Sequence, residues 1–82
     1  MKSDVRAAVN ADGVMRLTYS DPTMRDGLGV MVISLTAMRA MGITWRTASR
    51  AFADFAEGDR KEIKRLLDML VFKAGGNKEE KR

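Results

Sequence analysis

Basic side chains at helical spacing are the part of this sequence with the clearest chemical capacity. Arg46 and Arg50 stand four apart in "GITWRTASRAFADF", residues 42–55, and Arg60, Lys61, Lys64 and Arg65 gather in "DRKEIKR", residues 59–65. Guanidinium and ammonium groups bind anions, whether phosphates and guanine edges of a nucleic acid or carboxylates of a protein. Other chemistry is thin. The 82 residues include no histidine and no cysteine, which removes the commonest general base, the thiolate nucleophile and the usual zinc ligands. Asp4, Asp12, Asp21 and Asp26 lack metal-loop spacing, no glycine-rich phosphate loop is present, and no histidine stands by to activate Ser3, Ser20, Ser34 or Ser49. The residue types point away from an enzyme and from any metal or cofactor. They point toward binding.

The basic faces are not uniform. Arg46 and Arg50 lie opposite Ala48 and Phe52, so the simplest reading of that pair is the solvated side of an amphipathic helix. Asp59, Glu62 and Asp68 interrupt the second cluster, and carboxylates repel phosphates. No Asn or Gln, the usual adenine readers, occurs there. A net charge of +4 permits DNA binding, but a dedicated DNA-binding domain carries a denser basic stripe. Outside the helical pattern, Met15, Tyr19 and Met24 are the residues suited to contact a partner, since methionine adapts to irregular surfaces. Trp45, on the apolar side of its helix, reads as a core plug, with an interface anchor as the alternative.

The elements that would position these residues read as helices. "SDP", residues 20–22, is a helix start signal, and Gly27 and Gly29 break that segment. Leu28, Met31, Val32, Leu35 and Met38 then recur at spacings of three and four up to Gly42, predicting a helix of about 14 residues. Thr44 caps a second helix of about 11 residues, with Trp45, Ala48, Phe52 and Phe55 on its apolar face. Asp59 and Glu62 stand as cap and third residue of a last helix of about 15 residues, with Ile63, Leu66, Leu67 and Leu70 inward and "AGG", residues 74–76, at its end. "VMRLTY", residues 14–19, reads as a short strand, an extended arm or irregular chain, because one lone strand cannot form a sheet. The N-terminus does not read as a signal peptide, and no apolar run approaches the eighteen or so residues of a membrane span.

The segment "GITWRTASRAFAD" resembles the core of a domain family of unknown function found in proteobacterial integrative and conjugative elements. Gly42, Thr44, Trp45, Arg46, Ala51 and Phe52 sit in matching places. Upstream, "LTAMRAMG" looks like the family's Leu-Arg-Ala helix; downstream, "DRKEIKRLLDMLVFKAGG" looks like its Arg-rich closing helix. Asn77 and Lys78 replace the Tyr-Arg that usually follows the paired glycines. The likeness covers about residues 33–76. It implies a helix-turn-helix variant; longer members of the family activate transcription of excision and transfer genes, and small stand-alone members are antiactivators that bind and block activator proteins.

Together these readings give an all-α fold: a small three-to-four-helix bundle with a helix-turn-helix-like core and an extended N-terminal arm. The arm takes residues 1–20, the helical domain residues 21–76, and a charged tail residues 77–82. The expected function is transcription regulation in the cytoplasm, as an antiactivator that binds the quorum-sensing regulator and the element-encoded activator of a mobile genetic element. Direct DNA binding by the last two helices is the alternative, and no membrane partner is expected. The contact residues are Arg46, Arg50, Arg60, Lys61, Lys64, Met15 and Tyr19, with no catalytic, metal or cofactor-binding residue and no cofactor.

Overall fold

Two stretches of alternating residues flank the turn "NADG", and in the structure, a computed structural model that describes residues 1–72, they pair as a hairpin. Strand β1 runs Ser3–Val9 and β2 runs Val14–Ser20. Asn10 closes the turn. Its backbone N–H donates to the Val14 carbonyl at 3.0 Å, and its side-chain oxygen accepts from the N–H groups of Asp12 and Val14. A third strand, β3 (Leu28–Ser34), pairs antiparallel with β2, giving the sheet order β1-β2-β3. Between β2 and β3, Asp21 organises the loop by accepting from the backbone N–H and hydroxyl of Thr23 at 3.0 and 2.7 Å.

The helices follow the sheet. The hydroxyl of Ser34 caps α1 (Leu35–Ala40) by accepting from the Ala37 N–H at 3.1 Å. Gly42, at φ +67°, turns the chain out of that helix, a conformation that costs a Cβ-bearing residue far more. Helix α2 (Trp45–Ala48) continues into a 3₁₀ turn at Ser49–Phe52. Helix α3 (Glu57–Leu67) widens into a π-helical turn at Asp68–Phe72. The expected helix end at residues 74–76 and the charged tail at 77–82 lie outside the described residues.

The all-α expectation is therefore wrong: the fold is α+β, with a three-stranded antiparallel sheet. The helical reading of residues 28–41 failed because "LGVMVIS" is apolar at almost every position. Such a run satisfies a 3.6-residue period and a two-residue period equally well. The β-branched Val30, Val32 and Ile33 decide for the strand, and the helix begins only at Leu35. The N-terminal arm is likewise no arm. With β3 available as a partner, "VMRLTY" becomes the central strand, and residues 3–9 pair along its other side.

One face of the sheet carries the core. Met15, Leu17 and Tyr19 of β2 point inward and meet Leu35, Phe52, Phe55 and the α3 side chains Ile63, Leu67 and Val71, all buried. The spacing of four between Ile63, Leu67 and Val71 keeps them on one helical stripe. Burial of each such aliphatic side chain contributes about 1.5–3 kcal/mol. Tyr19 lies across Gly29 on the neighbouring strand, so closely that a Cβ at Gly29 would stand 2.3 Å from the Tyr19 ring. Its ring edge meets Phe55 at 4.8 Å between centroids.

Two outcomes are expected. Gly29→Ala must displace the Tyr19 ring, and the overpacking should cost about 1–3 kcal/mol or more, read as a lowered denaturation midpoint. A midpoint equal to that of the native chain would contradict the contact. The second concerns acid. The hydroxyl and N–H of Thr23 hold the Asp21 carboxyl below its ordinary value of 3.8. A depressed folded-state pKa means that the unfolded chain takes up the proton first, so the associated stability is present at neutral pH and lost as pH falls from about 5 through the lowered pKa. Thermal melts across that range should show this acid slope, and Thr23→Val should make it shallower.

Candidate binding groove

The short α2 segment and the first turns of α3 meet at an angle set by two buried rings. Phe52 and Phe55, both 2% exposed, anchor the chain between the two helices, with centroids 5.9 Å apart. Trp45 stacks on Phe52, its ring nearly parallel at 5.9 Å, and is half-buried: one face lies on the core, the other borders a groove. Thr44 occupies the capping position before Trp45, as its sequence suggests, but its side chain makes no capping bond. Instead its carbonyl accepts from Thr47 and Ala48.

The groove, of about 470 Å³, runs between α2 with its 3₁₀ turn and α3. Arg50, Arg60, Lys61 and Lys64 line it, with Trp45 on one wall and Glu57 as the one acidic lining residue. Lys61 stands 3.7 Å from Glu57, and both side chains are well exposed, so this pair contributes little. Lys64 pairs with Asp68 at 2.9 Å. Among the described residues, Arg50 and Arg60 make no ion pair, which leaves two guanidinium groups able to receive an anion. Arg65 is drawn off on the other side: its guanidinium grips Glu62 through Nε at 3.0 Å and Nη2 at 2.6 Å. That fork depresses the Glu62 carboxyl below the usual range and raises Arg65 further.

Four of the residues singled out from the sequence thus share one surface. Arg46 is exposed but does not line the groove. Met15 and Tyr19 are corrected: at 0% and 8% exposure they are core side chains of the central strand, not contact residues of an exposed arm. They looked available because residues 14–19 had no visible strand partner. Met24, in the loop before β3, is half exposed. Among the inward residues of α3, Leu66 and Leu70 are only half-buried; the buried stripe runs through Ile63, Leu67 and Val71.

Asp59 also differs from expectation. The residue at the capping position of α3 is Ala56, which makes no side-chain cap, and Asp59 is the third residue inside the helix. Its carboxylate reaches β1 instead, accepting from the N–H groups of Asp4 and Val5 at 3.2 and 3.1 Å. Asp4 sits there at φ +55°, where the β1–β2 register shifts by a bulge between Ser3 and Arg6. This tie orients the first turn of α3, and with it Arg60 and Lys61, relative to the sheet. Nothing in the sequence marks it, because the partners are backbone groups 54 and 55 residues away.

On the other side of Trp45, a second recess of about 360 Å³ is lined by Met38, Ile43, Val71 and Phe72 together with the charged Arg39 and Asp68. The chain matches no protein-family model, no curated protein and no solved structure.

Two variants test this geometry. Trp45→Ala should cost about 1–3 kcal/mol, below the 3–5 kcal/mol of a fully buried aromatic, because the ring is only partly buried against the core. The variant should remain folded by circular dichroism, and unfolding would return Trp45 to the core. Asp59→Ala should destabilise by about 1–2 kcal/mol through two lost charge-assisted bonds, and amide exchange should rise specifically at Asp4 and Val5. Faster exchange in the first turn of α3 with β1 unchanged would instead make Asp59 a helix cap.

Proposed function

We propose that this chain is a transcription regulator that works by occupancy, an antiactivator whose groove captures an acidic segment of an activator protein. The observation that carries the reading is the juxtaposition of Arg50 and Arg60, which make no ion pair among the described residues, with the part of Trp45 that borders the groove. Aromatic and arginine side chains in partly enclosed settings are the residue types that dominate protein–protein affinity. Unpaired guanidinium groups recognise carboxylates in a bidentate way and steer a negatively charged partner into place. The likeness of residues 42–55 to the conjugative-element family supplies the partner class: the quorum-sensing regulator and the element-encoded activator of a mobile genetic element. Capture requires no catalysis and no cofactor. Among the described residues, no helix is long and apolar enough to cross a membrane.

Direct DNA binding through the same basic residues is the second reading, favoured by the two unpaired arginines alone. Against it, Glu57 within the groove and Asp68 on Lys64 interrupt the positive surface that an extended run of phosphates would need, whereas a short acidic segment has to meet only Arg50 and Arg60. The α2 segment is also a single turn of α-helix before its 3₁₀ continuation, a poor scaffold for a helix that braces another in the major groove.

The deciding experiment titrates the purified chain with an activator from its own genetic element and, separately, with promoter DNA, each over a range of salt. The activator should bind at about micromolar affinity or tighter, near −8 kcal/mol. Arg50→Glu with Arg60→Glu should weaken it by at least about tenfold, while DNA binding stays weak and indifferent to sequence. Sequence-specific DNA binding near about 10⁻⁸ M at physiological salt, falling steeply as salt rises, would sink the antiactivator reading.

A further inference from the structure

The two edges of the sheet are treated very differently. At β1, the bulge at Asp4, the charge of Arg6 and the Asp59 carboxylate on the N–H groups of Asp4 and Val5 all obstruct further pairing. At β3, "LGVMVIS" has no charged residue, no proline and no register shift against β2.

The phase of the β3 ladder shows which of its backbone groups are left over. Asp21 N–H donates to the Gly27 carbonyl and Leu35 N–H to the Gly13 carbonyl, both at 2.8 Å. Hydrogen-bonded pairs in an antiparallel ladder recur at every second residue. The pairs Tyr19–Gly29, Leu17–Met31 and Met15–Ile33 between these two bonds are therefore the ones that exchange bonds. The N–H and C=O groups of Val30 and Val32 point away from β2, into open space. Leu28 N–H is taken by the Asp26 carboxylate at 3.1 Å. The side chains of Leu28, Val30 and Val32 lie on the sheet face opposite the core and are 61, 58 and 63% exposed.

We propose that β3 pairs antiparallel with β3 of a second copy of this chain, joining two three-stranded sheets into one. The strand is self-complementary. With the two-fold axis at Met31, all of Leu28–Ser34 overlaps, and Val30 exchanges both backbone bonds with Val32 of the second copy, and the reverse. On the outer face valine then meets valine across the seam, and no charge is buried on either side. A symmetric pairing of this kind closes on itself and consumes both open edges.

The area agrees with a reversible dimer. Seven residues at about 3.4 Å each make a strip roughly 24 Å long and about 10 Å thick. Counting both copies gives on the order of 500 Å², below the standard interface size and in the range of weak, transient association. The dimer is therefore weak and reversible, and is populated at high concentration. It lies apart from the basic groove, so its test and that of the proposed function fail separately.

The test is sedimentation equilibrium of the full chain and of Val32→Pro. Proline at 32 deletes an N–H that serves only the second copy, and edge strands accept proline on that side. At about 1 mM, a concentration that populates even a dimer with a Kd of about 100 µM, the native chain should be largely dimeric. Val32→Pro should weaken the dimer at least about tenfold while activator binding is unchanged. An isotope-filtered NMR experiment on a mixture of labelled and unlabelled native chain keeps the test open if the variant fails to fold. It should show intermolecular Hα–Hα contacts between Gly29 and Ile33, the pair that faces across the seam without hydrogen bonds. A native chain that is monomeric at that concentration overturns the proposal. So does a dimer lacking those contacts, or an edge that takes up an extended segment of a different protein in place of its own copy.

Discussion

The structure depends on one close approach, that of the Tyr19 ring to Gly29. No residue with a Cβ fits beneath that ring, so the pairing of Tyr19 with Gly29 holds the β2–β3 register in place. A one-residue slip would turn Met15, Leu17 and Tyr19 out to solvent. The same ring then presents its edge to Phe55, and Lys2 Nζ stands 5.5 Å from both centroids. Phe55 belongs to the segment whose backbone pairs with Lys2, through Lys2 N–H to the Asp54 carbonyl and Ala56 N–H to the Lys2 carbonyl. A single stacking event thus joins the start of the chain, the middle of the sheet and the entry to α3.

From there an aromatic row carries the sheet's position to the groove. Tyr19 meets Phe55, Phe55 meets Phe52, and Phe52 meets Trp45, each step between 4.8 and 5.9 Å. The row's outer end is Trp45, which is partly buried and lines the groove. Arg50 is carried by the 3₁₀ turn that Phe52 anchors, and Arg60 by the helix that Asp59 ties to β1. The groove's basic side chains are therefore mounted on two segments, each fixed to the sheet by a separate interaction. Such support fixes where the backbone presents each arginine at the groove, while the guanidinium groups themselves make no ion pair among the described residues.

What was legible in the sequence was local. Gly42 and Thr44 mark real helix limits, and the apolar stripe of α3 was visible through Ile63 and Leu67, although that helix begins at Glu57 and not after Asp59. The proximity of Arg60, Lys61 and Lys64 was also within reach of helical spacing, since they follow one another within one helix; that Arg50, and not Arg46, joins them depends on the tertiary packing of the 3₁₀ turn against α3. The sheet was not legible, for two physical reasons. The uniform apolarity of residues 28–33 hides the two-residue period that a half-buried strand would show. And a central strand can be recognised only together with the strands beside it: "VMRLTY" looked like a lone segment until residues 28–34 were seen to be extended. Misplacing β3 therefore misplaced Met15 and Tyr19 as well. The role of Asp59 was hidden for the opposite reason, because a cap of its own helix is the commoner use of aspartate at that position.

The apolarity that concealed β3 also has a structural consequence. In a half-exposed strand, selection for the monomer alone would favour polar residues at Leu28, Val30 and Val32, since their side chains face away from the core and contribute little to it. An uncharged, unprotected edge is a hazard that soluble proteins commonly blunt with lysine, proline or a bulge. The other edge of this same sheet is blunted by a bulge and by Asp59, so the chain has the means to do so. A domain of this size also buries only about 60% of the surface of its unfolded chain, which leaves its stability small. Association through β3 would add to that stability in proportion to concentration, because a second copy that binds only the folded chain draws the folding equilibrium toward it. The pattern of apolar residues on β3 is thus costly in the isolated chain and useful in a pair.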